Sequence, residues 1–244
     1  MKQRLAFPLL ITLLLLVICG PAQAALFTIP TPGDFGYVGA TTLIPITQPS
    51  CTNTGTPGDP CPANTIVNSL SAGGLTVNFS SPEAQNLLVS RENVPVGWAT
   101  WNTPPFVESS TPKVAQDLVD LSCAICTLTM SFSTPVKTFG FEAEPDPFPT
   151  GHTITATFFN GASTVGSISI PFPTGVGSAR LFAATTDEQF TRVNVTINGT
   201  DFAIAQLRFS TETLAQVGVP EPGSAALLLG GIAALAFARR FRRR

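Results

Sequence analysis

The chain has 244 residues, 13 Lys and Arg against 15 Asp and Glu, and a single histidine. Setting aside Lys2 and Arg4 at the start, and five arginines with Glu221 at the end, leaves 6 basic and 14 acidic residues, a net charge of −8. So acidic a body repels phosphate backbones and excludes nucleic acid as a partner; the length leaves room for one or two domains.

In chain order, the first segment carries Lys2 and Arg4, then an apolar run to Cys19, then Ala22-Gln23-Ala24. A positive start, a short apolar core and small residues at −3 and −1 predict a signal helix over 1–24, cleaved between Ala24 and Ala25. Ile18 is too large for the lipoprotein cleavage that Cys19 would otherwise suggest. Residues 25–65 follow, rich in Pro and Gly. They are expected to form a loop-rich arm packed on the main domain.

Four cysteines remain after processing: Cys51, Cys61, Cys123 and Cys126. An even count in an exported chain reads as two disulfides. Proximity favours Cys51–Cys61 and Cys123–Cys126, although four cysteines allow three pairings. Zinc would need a second ligand pair, and His152 is the only histidine.

From 66 to 212 the pattern is that of strands. In "CTLTMSFS" Leu128, Met130 and Phe132 share one face. In "KTFGFEAE" Phe139, Phe141 and Ala143 oppose Thr138, Gly140, Glu142 and Glu144. "HTITATFF" turns Ile154, Ala156 and Phe158 inward, and "RVNVTIN" does so with Val193, Val195 and Ile197. "SAGGLTVNFSS", "SARLFAATT" and "DFAIAQLRFS" add strands, and "STPVK", "FNGAS" and "FPTGVG" read as turns. "KVAQDLVD" suggests a short helix. The expected fold is all-β, an antiparallel β-sandwich of jelly-roll type with one core.

Three groups of residues could carry chemistry. Trp98 and Trp101 could stack on sugar faces or cap the core. Glu142, Glu144 and Asp146 could hold Ca²⁺ at a strand end, or form a solvated acidic edge that discourages edge pairing. His152 is expected at the surface. No G-x-S-x-G elbow occurs, and nothing singles out a facing carboxylate pair, so an enzyme is not expected and no cofactor is assigned beyond that calcium.

After a linker at 213–218, residues 219–244 hold Val219-Pro220-Glu221-Pro222-Gly223-Ser224, an apolar run over 225–238, and arginines from Arg239 to Arg244. Fourteen helical residues span about 21 Å, short of a hydrocarbon core of about 30 Å. A transmembrane helix at 225–238 would be a weak anchor, with its arginines cytoplasmic and Pro220-Glu221-Pro222 on the exported side. These three ordered elements resemble the PEP-CTERM sorting signal of exopolysaccharide-producing Gram-negative bacteria. The resemblance implies that exosortase, a membrane-embedded cysteine protease/transpeptidase, recognises the tail at the inner membrane and processes it near Pro220-Glu221-Pro222. The body would then be delivered to the cell surface or extracellular matrix. The strands "FSTPVKTFGFEAEP", "ITATFFNG", "LFAATTDEQFTRVNVTI" and "DFAIAQLRF" are similar in order to the β-sandwich modules that precede such signals, which often carry acids where this chain has Ala205 and Gln206. The expectation is a non-enzymatic exported protein associated with exopolysaccharide or biofilm. The alternatives are a carbohydrate-binding module using Trp98 and Trp101, or an enzyme acting on matrix glycans.

Overall fold

The structure is a computed structural model. It describes residues 25–46, 65–82, 87–90, 101, 103–110, 112, 114–117, 125–145, 151–173, 179–198 and 202–214. The signal segment, Cys51, Cys61, Trp98, Cys123, Asp146 and the whole sorting tail, with its 225–238 helix, lie outside the described residues. Among the described residues no helix is long and apolar enough to cross a membrane.

Among the described residues, twelve strands form one continuous antiparallel sheet. In order they are β1 (Leu26–Ile29), β2 (Thr42–Ile44), β3 (Thr65–Val67), β4 (Ser69–Ala72), β5 (Leu75–Ser80), β6 (Leu87–Ser90), β7 (Val114–Asp117), β8 (Ile125–Pro145), β9 (His152–Asn160), β10 (Ser163–Phe172), β11 (Arg180–Asn198) and β12 (Phe202–Ser210). The sheet doubles over along its two longest strands, β8 and β11. Their pairing runs from Ile125↔Asn198 to Ser131↔Arg192, breaks its register around Val136↔Phe190, and resumes from Thr138↔Thr185 to Ala143↔Arg180. Strands that pass from one layer to the other through such a bend make the corners of a folded sandwich.

The first layer runs β10-β9-β11-β8-β5-β4 through the Asn198 half of β11. The second runs β1-β11-β8-β12 through the other half, with β7 and β2 side by side on the far edge of β12. β6 and β3 continue outward from β7. The inner faces of both layers share one apolar cluster. It joins Leu128, Met130, Phe158 and Val195 of the first layer to Phe139, Phe141, Phe182 and Ile204 of the second. Phe141 and Phe182 stack at 5.6 Å and 10°. Each such side chain contributes about 1.5–3 kcal/mol on burial. The antiparallel β-sandwich read from the sequence is therefore the architecture found, with the inward residues of "CTLTMSFS", "KTFGFEAE", "HTITATFF" and "RVNVTIN" facing the core.

Three local expectations are corrected. "STPVK" is not a turn: β8 continues through it, and its proline lies in the bend where ladder pairing with β11 is interrupted. "KVAQDLVD" gives strand β7, because pairing Val114, Ala115 and Gln116 with Ala205, Ile204 and Ala203 of β12 outweighs a weak helical preference. The arm is also less loop-like than expected. Its described part supplies β1 and β2, which pair into the second layer, and a 3-10 turn (Asp34–Gly36) and a one-turn helix (Tyr37–Ala40) that lie over the outer surface of that layer.

Candidate functional site

The outer surface of the second layer is covered, and that covering creates the most concentrated polar chemistry among the described residues. Two apolar patches flank it. Trp101, Val107, Val114, Ala179, Ala203 and Ala205 form one. Ile29, Tyr37, Leu181, Ala183 and Leu214 form the other. On this face of β8 stand Thr138, Gly140, Glu142 and Glu144, and both glutamates have no exposed surface. The solvated acidic edge expected from alternation is thus corrected, because the arm and the 101–110 segment have taken the place of water.

Glu142 is the centre of the arrangement. Its Oε2 accepts the Trp101 indole Nε1–H at 2.9 Å, and its Oε1 accepts the backbone N–H of Glu108. The Glu108 carboxylate is gripped in turn by Arg208, whose Nε–H donates to Oε2 at 2.7 Å and whose Nη2–H donates to Oε1. Arg208 Nη1–H donates to the carbonyls of Val38 and Thr41, each at 3.1 Å. One guanidinium therefore ties β12, the 101–110 segment and the arm together, in the bidentate geometry that suits arginine and carboxylate.

The backbone of β12 decides that Arg208 can do this. Gln206 has φ of 50°, in the left-handed region, and the pairing with β8 passes from Ala205↔Glu142 to Arg208↔Gly140. One extra residue on β12 is a β-bulge, and it reverses which parity faces the core. Ile204, Leu207 and Phe209 accordingly enter the main core. Ala203, Ala205 and Arg208 face outward beside Gly140 and Glu142. Without the bulge Arg208 would point into the core.

Burial pushes the Glu142 carboxyl up from its ordinary 4.5 to about 7. The hydrogen bonds from Glu108 N–H and Trp101 oppose the rise, the nearby Glu108 charge adds to it, and Arg208 lowers it. Burial likewise holds the Tyr37 hydroxyl well above its usual range, so it stays neutral. Its oxygen is buried without a hydrogen-bond partner and stands 2.4 Å from where a Cβ on Gly140 would lie. Since Glu142 has no exposed surface, its proton equilibrium acts on the protein's own contacts rather than on a ligand in solvent.

Of the residues singled out in the sequence, Trp101 and Glu142 are brought into contact. Trp101 is 7% exposed, so its ring is not an open sugar platform; its indole end serves Glu142 instead. Among the described residues no three His, Cys, Asp or Glu side chains gather as metal ligands, and both oxygens of Glu142 accept N–H donors, a poor preparation for calcium. Cys126 is buried and disulfide-bonded. Ala25 is exposed just before β1. His152 is corrected from the surface to a buried place at 7% exposure, its Nδ1 3.0 Å from the Asn198 carbonyl. Glu108, Arg208 and Tyr37 were missed. "FAIAQLRFS" carried a signal for Arg208, since its apolar residues change parity between Ile204 and Leu207.

A second feature lies on the outer surface of the first layer. A shallow hollow there is lined by Thr153, Thr155, Thr196, Ile197 and Asn198. Thr155 and Ser169 share a hydrogen bond of 2.8 Å across β9 and β10.

No curated protein matches the chain in sequence. Among solved structures, a family 29 carbohydrate-binding module is similar at 10% identity and TM-score 0.35, covering 65% of this chain and 96% of that one. Another structure of family 29 shares 11% identity at TM-score 0.34, over 61% and 86% of the two chains. The enzymatically active domain of bacteriophage CBA120 tailspike protein 4 shares 16% identity at TM-score 0.29, over 57% and 19%. These likenesses are too distant to bear on what this chain binds. The family comparison is specific, and it falls on the tail: residues 218–244 match the PEP-CTERM protein-sorting motif, the mark of an exported protein.

Proposed function

We propose that this protein is an exosortase substrate. Its β-sandwich body crosses the inner membrane, is held briefly by the 225–238 segment, and is processed near Pro220-Glu221-Pro222 to become a non-enzymatic component of the cell surface or exopolysaccharide matrix. The match of residues 218–244 to the sorting motif carries this reading. The run of arginines supports it by setting the orientation of the tail, and a net charge of −8 suits an exported, soluble body. Intact-mass measurement of the mature protein is the test. The arginine tail should be absent in the parent strain and present when the exosortase is deleted. Tails retained in both strains would make the segment a plain anchor.

A second reading, binding of a neutral polysaccharide chain, is favoured by the hollow on the first layer. Its walls offer hydroxyls and an amide, groups that both donate and accept, and no carboxylate. Trp101, buried against Glu142, plays no part in it. Glycan-array binding that falls at least tenfold in Thr155→Val with Thr196→Val, on the order of two lost hydrogen bonds, is the expected result. Unchanged binding would place the site elsewhere.

A further inference from the structure

The hairpin that joins β9 to β10 turns over two residues, Gly161 and Ala162, with Asn160 and Ser163 as its closing pair. Gly161 has φ of 59°, the left-handed backbone that so tight a hairpin asks of its first loop residue. Asn160 is the last residue of β9 and is exposed. An asparagine followed by glycine carries a reaction of its own. The glycine amide nitrogen attacks the asparagine side-chain carbonyl carbon, and a residue without Cβ leaves that approach unhindered.

What sets this turn apart is Thr191, on β11 at the far side of β9. Gly161 N–H donates to Thr191 Oγ1 at 2.8 Å, and the same hydroxyl donates to the Phe159 carbonyl at 3.2 Å. One side chain therefore holds the peptide groups on both sides of Asn160. For the attack, the peptide between Asn160 and Gly161 must rotate about the Asn160 Cα–C bond, out of the extended strand form. The Gly161 nitrogen must also give up its proton. Each of these steps breaks the bond to Thr191.

We propose that Asn160–Gly161 is a site of spontaneous deamidation and that the Thr191 hydroxyl is the group that restrains it. The Gly161 nitrogen loses its proton to solvent and bonds to Asn160 Cγ, and the side-chain amide leaves as ammonia, closing a succinimide. Water then opens the ring, at one carbonyl to give aspartate and at the other to give isoaspartate. Either product adds a negative charge to the tip of the hairpin. Isoaspartate also adds a methylene to the backbone, for which a two-residue turn between paired strands has no slack. This inference stands independently of how the tail is sorted and of what the hollow binds.

Asn198-Gly199, the other such pair in the sequence, supplies the control. It is held differently, with Asn198 Oδ1 accepting the Thr153 N–H at 3.0 Å. The test incubates the full chain in a non-ionic detergent at mildly alkaline pH and follows both asparagines by peptide mass mapping. Asn160 should convert more slowly in the folded parent than in denaturant. Thr191→Val should speed its conversion in the folded protein by about threefold to tenfold, the worth of one hydrogen bond. Thr191→Ser, which keeps the hydroxyl, should stay at the parent rate, and Asn198 should respond to neither substitution. Equal rates for folded and denatured parent, an unchanged rate in Thr191→Val, or a Thr191→Ser as fast as Thr191→Val would each overturn the proposal. So would an equal rise at Asn198, which would mean general loosening of the fold.

Discussion

Gly140 shows how much of the covered face rests on one missing atom. A Cβ there would meet the Ala183 Cβ at 2.3 Å and the Tyr37 hydroxyl at 2.4 Å. Neither can withdraw easily, since Ala183 belongs to the paired strand and the side chain of Tyr37, which the arm contributes, is fully buried. Gly140→Ala should therefore cost about 1–3 kcal/mol by overpacking, read as a lower chemical-denaturation midpoint. No loss would mean that the arm does not sit down on β8. Gln206 is the complementary case, a non-glycine residue in left-handed backbone whose strain is tolerated because the bulge places Leu207 and Phe209 in the core.

At the scale of the element, β8 is one strand with two kinds of outer surface. In its first half Thr127 and Thr129 are half-buried, while in the second Thr138, Glu142 and Glu144 are fully buried. Alternation predicted which residues face outward along the whole strand. It could not predict that one half of that surface would be roofed over, because the roof comes from the arm's turn and short helix over 34–40 and from Trp101 and residues 103–110, which have no period of their own. The roof sets the pH response. Glu142 titrates near 4.5 when unfolded and near 7 when folded, so between those values the folded state holds the proton more firmly. Stability should consequently fall as pH rises from about 4.5 to 7, then level off above it. Denaturation midpoints across that range should slope downward in the parent protein and flatten in Glu142→Gln. An equal slope in both would assign the effect to another group.

For the whole molecule, the end of the folded body is set by specific ties rather than by composition. The Thr138 hydroxyl donates to the Glu212 carbonyl at 2.9 Å, Leu214 N–H donates to Thr185 Oγ1 at 2.9 Å, and the Thr213 hydroxyl donates to the Thr186 carbonyl at 2.8 Å. A chain ending at Leu214 should keep the thermal midpoint of one that includes the linker. A chain ending at Ser210 should lose about 2–4 kcal/mol with these bonds and the buried Leu214 side chain. Equal midpoints for the two truncations would show that residues 211–214 add nothing.

The antiparallel strands, their inward residues and the sorting signal could all be read from the chain itself. Each depends on local order: a two-residue period along a strand, or three elements in sequence at 219–244. The hydrogen-bonded cluster of Trp101, Glu108, Glu142 and Arg208 needed the tertiary structure, because its members lie as far apart as residues 101 and 208 and meet only after the sheet folds over and the bulge at Gln206 turns Arg208 outward. Burial of Glu142 is likewise a property of what lands on it. A carboxyl's titration follows its surroundings, and no local pattern in the chain specifies those.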